Sequence, residues 1–314
     1  MMAFIRAFFV AVSFLMASTA VFAEGLIVAH GGGSAFFYGD PPRLFGAFSY
    51  AFKKAGGKRA KIVTVSSYAN DENRELQDLL KDAGYRNVTH LNVAAPNAPE
   101  ILLGADIIYF DSGVQTQLMR KLKTKPKVIA AIKQAHANGT VIGGSSAGAA
   151  ALSDVMICCD KGGKAIESRG LALLKNVVID QHYSQREREF RLRQIISKHP
   201  NKIGIGIDET VAVAFHKGKI TVIKSPENKK RANKKVDAGC RRINGIYTCT
   251  CDTFCDCAGR GLKKPFVENG IKRQCVQSLS FGNSARQMAT IVTNKNGQLS
   301  ESHIKPGKSL KLAY

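Results

Sequence analysis

The sequence predicts an α/β protein built on a mostly parallel sheet with helices on both faces. Three observations carry this. Apolar runs of strand length recur at residues 26–29, 62–65, 88–91, 107–110 and 141–142, and amphipathic stretches of helical character lie between several of them, at 73–83 and 127–137. Small and polar residues gather where those runs end, at Gly31-Gly32-Gly33, Ser66-Ser67, Ser112-Gly113 and Ser146. Strand–helix alternation buries a parallel sheet between helical layers. In such sheets ligands bind outside the carboxyl ends of the strands, where the backbone must allow close approach.

At the start of the chain, Arg6 precedes an apolar stretch from Ala7 to Phe22, and Val21-Phe22-Ala23 stands before Glu24. A charged start, an apolar middle and a small-residue site read as a secretory signal over residues 1–23, cleaved after Ala23. The run is short for a membrane span. Residues 24–314 are then expected to form one domain, exported to the periplasm or outside the cell.

The formal charge is +22, and loss of residues 1–23 removes only Arg6. Between Lys217 and Arg273 there are fifteen Lys/Arg against five Asp/Glu. Such an excess suits solubility or adhesion to an anionic envelope surface. A specific nucleic-acid partner is not expected, because there is no Trp and the basic residues are not interleaved with stacking aromatics. Six of the eight cysteines (Cys240, Cys249, Cys251, Cys255, Cys257 and Cys275) fall in one segment that overlaps this region, and the other two are the neighbours Cys158-Cys159. An even, clustered set in an exported chain favours disulfides over a metal site, since no His accompanies the cluster. The segment at about 226–275 reads as a stapled basic insert in a cysteine-poor body.

Ahead of that insert, Gly144-Ser145-Ser146-Ala147-Gly148 follows a strand and precedes the small-residue run Ala149-Ala150-Ala151. This is the layout of a nucleophile elbow: flanking glycines permit a sharp turn, Ser146 is lifted clear, and the Ala147 N–H opens a helix facing a developing oxyanion. The plainer reading is a small-residue turn between strand and helix, so partners must decide. Of seven histidines, His30 and His90 lie in or at the end of strands, and His136 is late in a polar helix. His199 precedes Pro200, His216 precedes a hairpin turn at Lys217-Gly218, and His303 is in the polar tail. His182 differs: it follows the apolar run Val177-Val178-Ile179 within the polar cluster Asp180-Gln181-His182, so it is the candidate base.

A helical segment carrying Arg186, Arg188 and Arg191 comes next, with Glu187–Arg191 and Glu189–Arg193 at i,i+4 spacing. These read either as a solvated face or as forks for substrate carboxylates. The strand Ile203-Gly204-Ile205-Gly206-Ile207 then ends in Asp208-Glu209, either of which could orient a histidine.

Together these pieces resemble the cyanophycinases and their relatives the aspartyl dipeptidases, over roughly residues 26–215. The likeness rests on residues 144–149, on Asp180-Gln181-His182-Tyr183 with the following arginines, on residues 204–209, and on Phe110-Asp111-Ser112-Gly113-Val114-Gln115. It implies a flavodoxin-like or class I glutamine amidotransferase-like sheet and a serine peptidase requiring no metal or cofactor. By the same likeness Ser146 is the nucleophile, His182 the base and Glu209 the acid that holds the imidazole. The Gly113 and Ala147 N–H groups are the oxyanion hole, and Gln115, Asp180, Gln181, Arg186, Arg188 and Arg191 are substrate contacts. The implied substrate is cyanophycin, a polyaspartate bearing arginine on each side-chain carboxyl, released as β-Asp-Arg; a short isoaspartyl peptide is the alternative. Whether the chain forms a homodimer stays open.

Two rival readings remain. His30-Gly31-Gly32-Gly33 resembles an esterase oxyanion motif, and the order Ser146, Asp208, His303 suits an α/β-hydrolase. That motif falls on the first strand, however, with no room for the strands that precede it in that fold. The other rival is a non-catalytic envelope-binding protein that retains an enzyme fold.

Overall fold

The structure is a computed structural model. It describes residues 25–33, 48–68, 71, 74, 76–223 and 288–311 in full. It describes as backbone residues 36–37, 43–44, 46–47 and 75 and four strands between 240 and 276. The signal segment and the side chains of the six clustered cysteines lie outside the described residues.

The first half runs β1 (Ile27–His30), β2 (Phe36–Phe37), β3 (Arg43–Leu44), α1 (Gly46–Lys54), β4 (Ile62–Ser67), α2 (Glu75–Asp82) and β5 (Val88–His90). It continues through α3 (Ala98–Leu103), β6 (Ile107–Gly113), α4 (Gln115–Lys123), α5 (Pro126–Ala137), β7 (Val141–Ser145) and α6 (Ala147–Ala151). Then come β8 (Val155–Lys161), β9 (Lys164–Arg169), β10 (Val177–Gln181), α7 (Glu189–Lys198), β11 (Ile203–Ile207), β12 (Ala212–His216) and β13 (Lys219–Ile223). The last strands are β14 (Cys240–Ile243), β15 (Ile246–Thr250), β16 (Phe266–Glu268), β17 (Ile271–Val276), β18 (Ala289–Lys295), β19 (Gln298–Ile304) and β20 (Ser309–Lys311).

The main sheet has the order β20-β13-β12-β1-β7-β6-β4-β5. From β1 to β5 its pairs are parallel, and β12, β13 and β20 add an antiparallel edge. Parallel strands are covered on both sides, which is why β1 and β4 are buried at every position. Alternation sorts their side chains. Ile27, Ala29, Val63, Val65, Ile108 and Phe110 join the core beneath α3 to α6, while Val28, Ile62, Ile107 and Tyr109 join the core beneath α1 and α2. On that second face Phe48 stacks on Tyr109 with ring centroids 4.5 Å apart, an arrangement worth about 0.5–1.5 kcal/mol beyond area burial.

A second sheet, β10-β11-β18-β19, was not visible in the strand–helix alternation. Val177, Ile179, Ile205 and Ile207 pack it into the α3–α6 core, and α7 covers its other face through Leu192, Ile195 and Ile196. β18 pairs with β11 although more than eighty residues separate them in the chain. The cysteine-rich segment carries a sheet of its own, β14-β15-β17-β16. The mixed α/β architecture with a large, mostly parallel sheet meets the sequence expectation.

One boundary differs. The helix expected across the arginines begins only at Glu189, because a short 3-10 turn at Ser184–Arg186 and the left-handed Glu187 (φ 51°) precede it. The i,i+4 pairing is not used either: Arg191 turns inward to Asp180, and Arg193 bonds Glu301 on β19.

Candidate active site

The carboxyl ends of β1, β6, β7, β10 and β11 converge, and main-chain hydrogen bonds of the loop after β1 reach both the end of β10 and the turn between β11 and β12. His182 N–H donates to Gly31 O at 2.7 Å, Thr210 N–H to Gly32 O at 3.0 Å, and Gly31 N–H to Val211 O at 2.9 Å.

Ser146 links β7 to α6 with φ 52° and ψ −111°, a backbone state that costs on the order of 1–3 kcal/mol outside glycine. Its N–H donates to His30 O at 3.0 Å and its carbonyl accepts from Ala150 at 3.0 Å, so both sides of the strained residue are anchored. The turn also needs Gly148: a Cβ there would lie 2.2 Å from the Phe110 carbonyl oxygen. That contact lays the start of α6 against the end of β6 and gathers Ala147 and Gly113 at the same end of the sheet. As the first residue of α6, Ala147 has an amide with no intrahelical acceptor.

The Ser146 hydroxyl lies 2.8 Å from His182 Nε2, and His182 Nδ1 lies 2.5 Å from Glu209 Oε1. The three residues predicted from separate motifs are therefore one hydrogen-bonded chain. Glu209 is fixed in turn, its N–H donating to Gln185 Oε1 at 2.9 Å. Asp208, the other carboxylate at that strand end, is engaged elsewhere: it accepts from the Ser184 N–H and hydroxyl at 3.0 and 2.6 Å and from Met288 N–H at 3.3 Å. His303 bonds Thr290 on β18, so the histidine that reaches Ser146 is His182. Burial, the largest influence, pulls His182 below the usual imidazole range against the opposing hydrogen bond it donates to Glu209. A neutral ring with Glu209 on Nδ1 leaves the Nε2 lone pair toward Ser146, the arrangement a general base requires.

The triple glycine has a role different from an esterase oxyanion loop. Gly32 (φ +97°) packs flat against the imidazole: a Cβ there would stand 2.4 Å from His182 Cε1 and Nε2. His30 itself is fully buried. Burial, and secondarily His182, hold it down to about 3, so it stays neutral. Its Nδ1 lies 3.2 Å from the Ser145 hydroxyl and 3.2 Å from Gly32 N–H, and Ser112 donates to Ser145 at 3.2 Å. This network joins the turn before Gly113 to the loop behind His182. Sequence reading missed it, and the only signal was the clustering of small polar residues at strand ends.

The implied substrate contacts divide. Gln115 Nε2 donates to the carbonyls of Ile157 and Cys158 at 3.1 and 3.0 Å. Arg188 donates to the Gln181 carbonyl and side chain at 2.6 and 2.9 Å, and Gln181 Oε1 lies 3.4 Å from the Ser146 hydroxyl. Asp180 and Arg191 are bound to each other, Nε to Oδ2 at 2.6 Å and Nη2 to Oδ1 at 2.5 Å, with side chains 1 % and 3 % exposed. Here this pair is a buried brace between β10 and α7. Arg186 is exposed beside the base. Among the described residues no group of three or more His, Cys, Asp or Glu is placed to hold a metal ion.

The family model of peptidase family S51 matches residues 59–223. Cyanophycinases of Synechococcus elongatus and Thermosynechococcus vestitus are each 31% identical over 207 residues, covering 61% of this chain. The match spans only 63% of the length of those relatives. The cyanophycinase of Geminocystis herdmanii is 26% identical over 184 residues, 57% of this chain and 60% of its own length. The crystal structure of a peptidase from an acI-B1 Actinobacterium superposes with a TM-score of 0.51 at 19% identity, over 65% of this chain and 89% of that one, and shares the fold. With more than half of its length matched by the family model, the chain belongs to peptidase family S51.

Proposed function

We propose that this protein is an exported serine-type exopeptidase that hydrolyses cyanophycin to β-Asp-Arg dipeptides through an acyl-enzyme. The observation that carries the reading is the continuous hydrogen-bonded chain from Ser146 through His182 to Glu209 at a strained strand–helix turn. Ser146 Oγ attacks the scissile carbonyl carbon while its proton passes to His182 Nε2, and Glu209 stabilises the imidazolium. The oxyanion settles toward the Gly113 and Ala147 amides, each such donor being worth about 3 kcal/mol in the transition state. Collapse breaks the C–N bond, and the leaving amine takes the proton from Nε2. Water, deprotonated by the same nitrogen, then releases the acyl group and restores Ser146.

Substrate recognition draws on Arg186 and Arg188, whose charges flank the base and suit a polyaspartate backbone. The brace of Asp180 and Arg191 holds β10 behind them. Relatives named cyanophycinases are 31% identical over 207 residues, which supports the substrate reading, and the N-terminal signal pattern supports export, where polymer released from other cells is available. Activity confined to the cytosolic fraction would overturn the export half.

The decisive experiment incubates the protein and its Ser146→Ala variant with insoluble cyanophycin and with β-Asp peptides and identifies products by mass. Release of β-Asp-Arg by the first alone is expected. Cleavage of short peptides only would shift the reading to an isoaspartyl dipeptidase. Adhesion to an envelope surface that is unchanged in Ser146→Ala, with no product from either protein, would favour a binding protein.

A further inference from the structure

Strand β8 does not run straight. Its ladder with β9 pairs Ile157 with Glu167 and Cys159 with Ile166, so Cys158 is an extra residue with no partner across the hairpin. In a regular strand neighbouring side chains leave on opposite faces, and adjacent cysteines point apart. The bulge cancels that separation: Cys158 Sγ and Cys159 Sγ lie 2.7 Å apart, closer than unbonded sulfurs ordinarily approach. Both are free thiols, Cys159 exposed and Cys158 half-buried. The bulge also lets the Ile157 and Cys158 carbonyls be gripped by one amide, that of Gln115. Gln115 opens α4 one residue beyond Val114, directly after the Gly113 turn.

We propose that Cys158 and Cys159 are a redox modification site, closing to a vicinal disulfide whose ring contains the Cys158 carbonyl that Gln115 holds. Closing the ring reorients that carbonyl, shifts Gln115 and thereby alters substrate binding beside the oxyanion turn. The oxidant is a low-molecular-weight disulfide. The exposed Cys159 thiolate attacks one of its sulfurs, forming a mixed disulfide and expelling the first thiolate. The Cys158 sulfur, after losing its proton, attacks Cys159 Sγ and expels the second. The two protons released leave on the two small thiols, and the reagent gains the two electrons the protein loses. Burial pushes the Cys158 thiol up to about 12, which makes it the second, resolving partner.

The test is peptide mapping of the full protein after incubation with oxidised glutathione, blocking with N-ethylmaleimide and digestion with trypsin. The peptide from Gln134 to Lys161 contains these two cysteines and no others. It should emerge unblocked and lighter by two hydrogens after oxidation, and carry two maleimides after dithiothreitol. Two maleimides after oxidation, a retained glutathione, or a cross-link to a peptide from residues 240–275 would each overturn the bond. A second measurement reads the coupling and rests on the peptidase reading. The apparent KM for cyanophycin should change severalfold between oxidised and reduced protein, and stay constant in a Cys158→Ala/Cys159→Ser variant. An oxidised peptide without any KM change would overturn the link to Gln115 while leaving the bond standing. A protein inactive in both states would count against the proposed function, and the mass result would be unaffected.

Discussion

Ser146 stands on the eight-stranded sheet, whereas His182 and Glu209 stand on the four-stranded one, and the two sides hold their side chains by different means. The nucleophile side is mostly local: the strained Ser146, the bond from Ala150 and the permissive Gly148 lie within four positions, and the adjoining strands β1 and β6 add only the His30 and Phe110 carbonyls. The base side is long-range. His182 is set by a main-chain bond to Gly31, by contact with Gly32 and by Glu209, while β10 is braced through Asp180 to Arg191 on α7. A short motif can build a nucleophile, but its base depends on distant parts of the chain agreeing on one geometry.

Four substitutions and a pH profile sharpen that contrast, taken from the largest effect downward, with Asp208→Asn as the control for the first. Glu209→Gln keeps the shape of the base side and removes the charge that stabilises the imidazolium, so kcat should fall by about 10⁴-fold. Asp208→Asn should cost far less, since Asp208 holds the Ser184 turn and not the ring; equal losses in steady-state kinetics would mean the carboxylates are misassigned. Arg191→Met removes both guanidinium hydrogen bonds of the buried Asp180 carboxylate, leaving Arg188 at 3.8 Å as its remaining ion pair, and should cost about 3 kcal/mol of stability, read as a lowered urea midpoint. An unchanged midpoint would remove the brace from the comparison.

Gly32→Ala drives a methyl group toward the imidazole and imposes a left-handed alanine, so kcat/KM should drop by about a hundredfold with the fold retained in circular dichroism. Full activity would show that the ring is not set from this side. The smallest effect is in pH dependence. Because burial lowers the His182 pKa, the base is neutral above that value, and activity is lost only as pH falls through it. The acid limb of kcat/KM should therefore lie below 6.5, the ordinary histidine value. A limb above 6.5 would mean that the Glu209 hydrogen bond outweighs desolvation.

The same contrast explains what could be read in the sequence. The parallel strands and the elbow at residues 144–148 are contiguous patterns, and both appear as expected. His182 was visible because it follows a strand-like run. The preference for Glu209 over Asp208 came from family likeness, since adjacent carboxylates at one strand end are equivalent until the Ser184 turn claims one of them. Arg191 is a helix-face arginine by spacing, and only the packing of α7 against β10 turns it toward Asp180. The second sheet was hidden because β11 finds its partner beyond the cysteine-rich segment, and no local pattern encodes such a pairing. The His30-Gly31-Gly32-Gly33 run was conspicuous, but its purpose depends on His182, which lies about 150 residues later.

That late pairing also bears on how the molecule is made. Ser146, His182 and Glu209 have all left the ribosome well before residues 289–295, which flank β11, and Met288 supplies the amide that Asp208 accepts. A chain halted ahead of residue 288 carries the whole Ser146–His182–Glu209 set on a sheet that lacks its inner neighbour. Synthesis thus delivers the chemistry early and its scaffold late, which delays a finished site until β18 has been made.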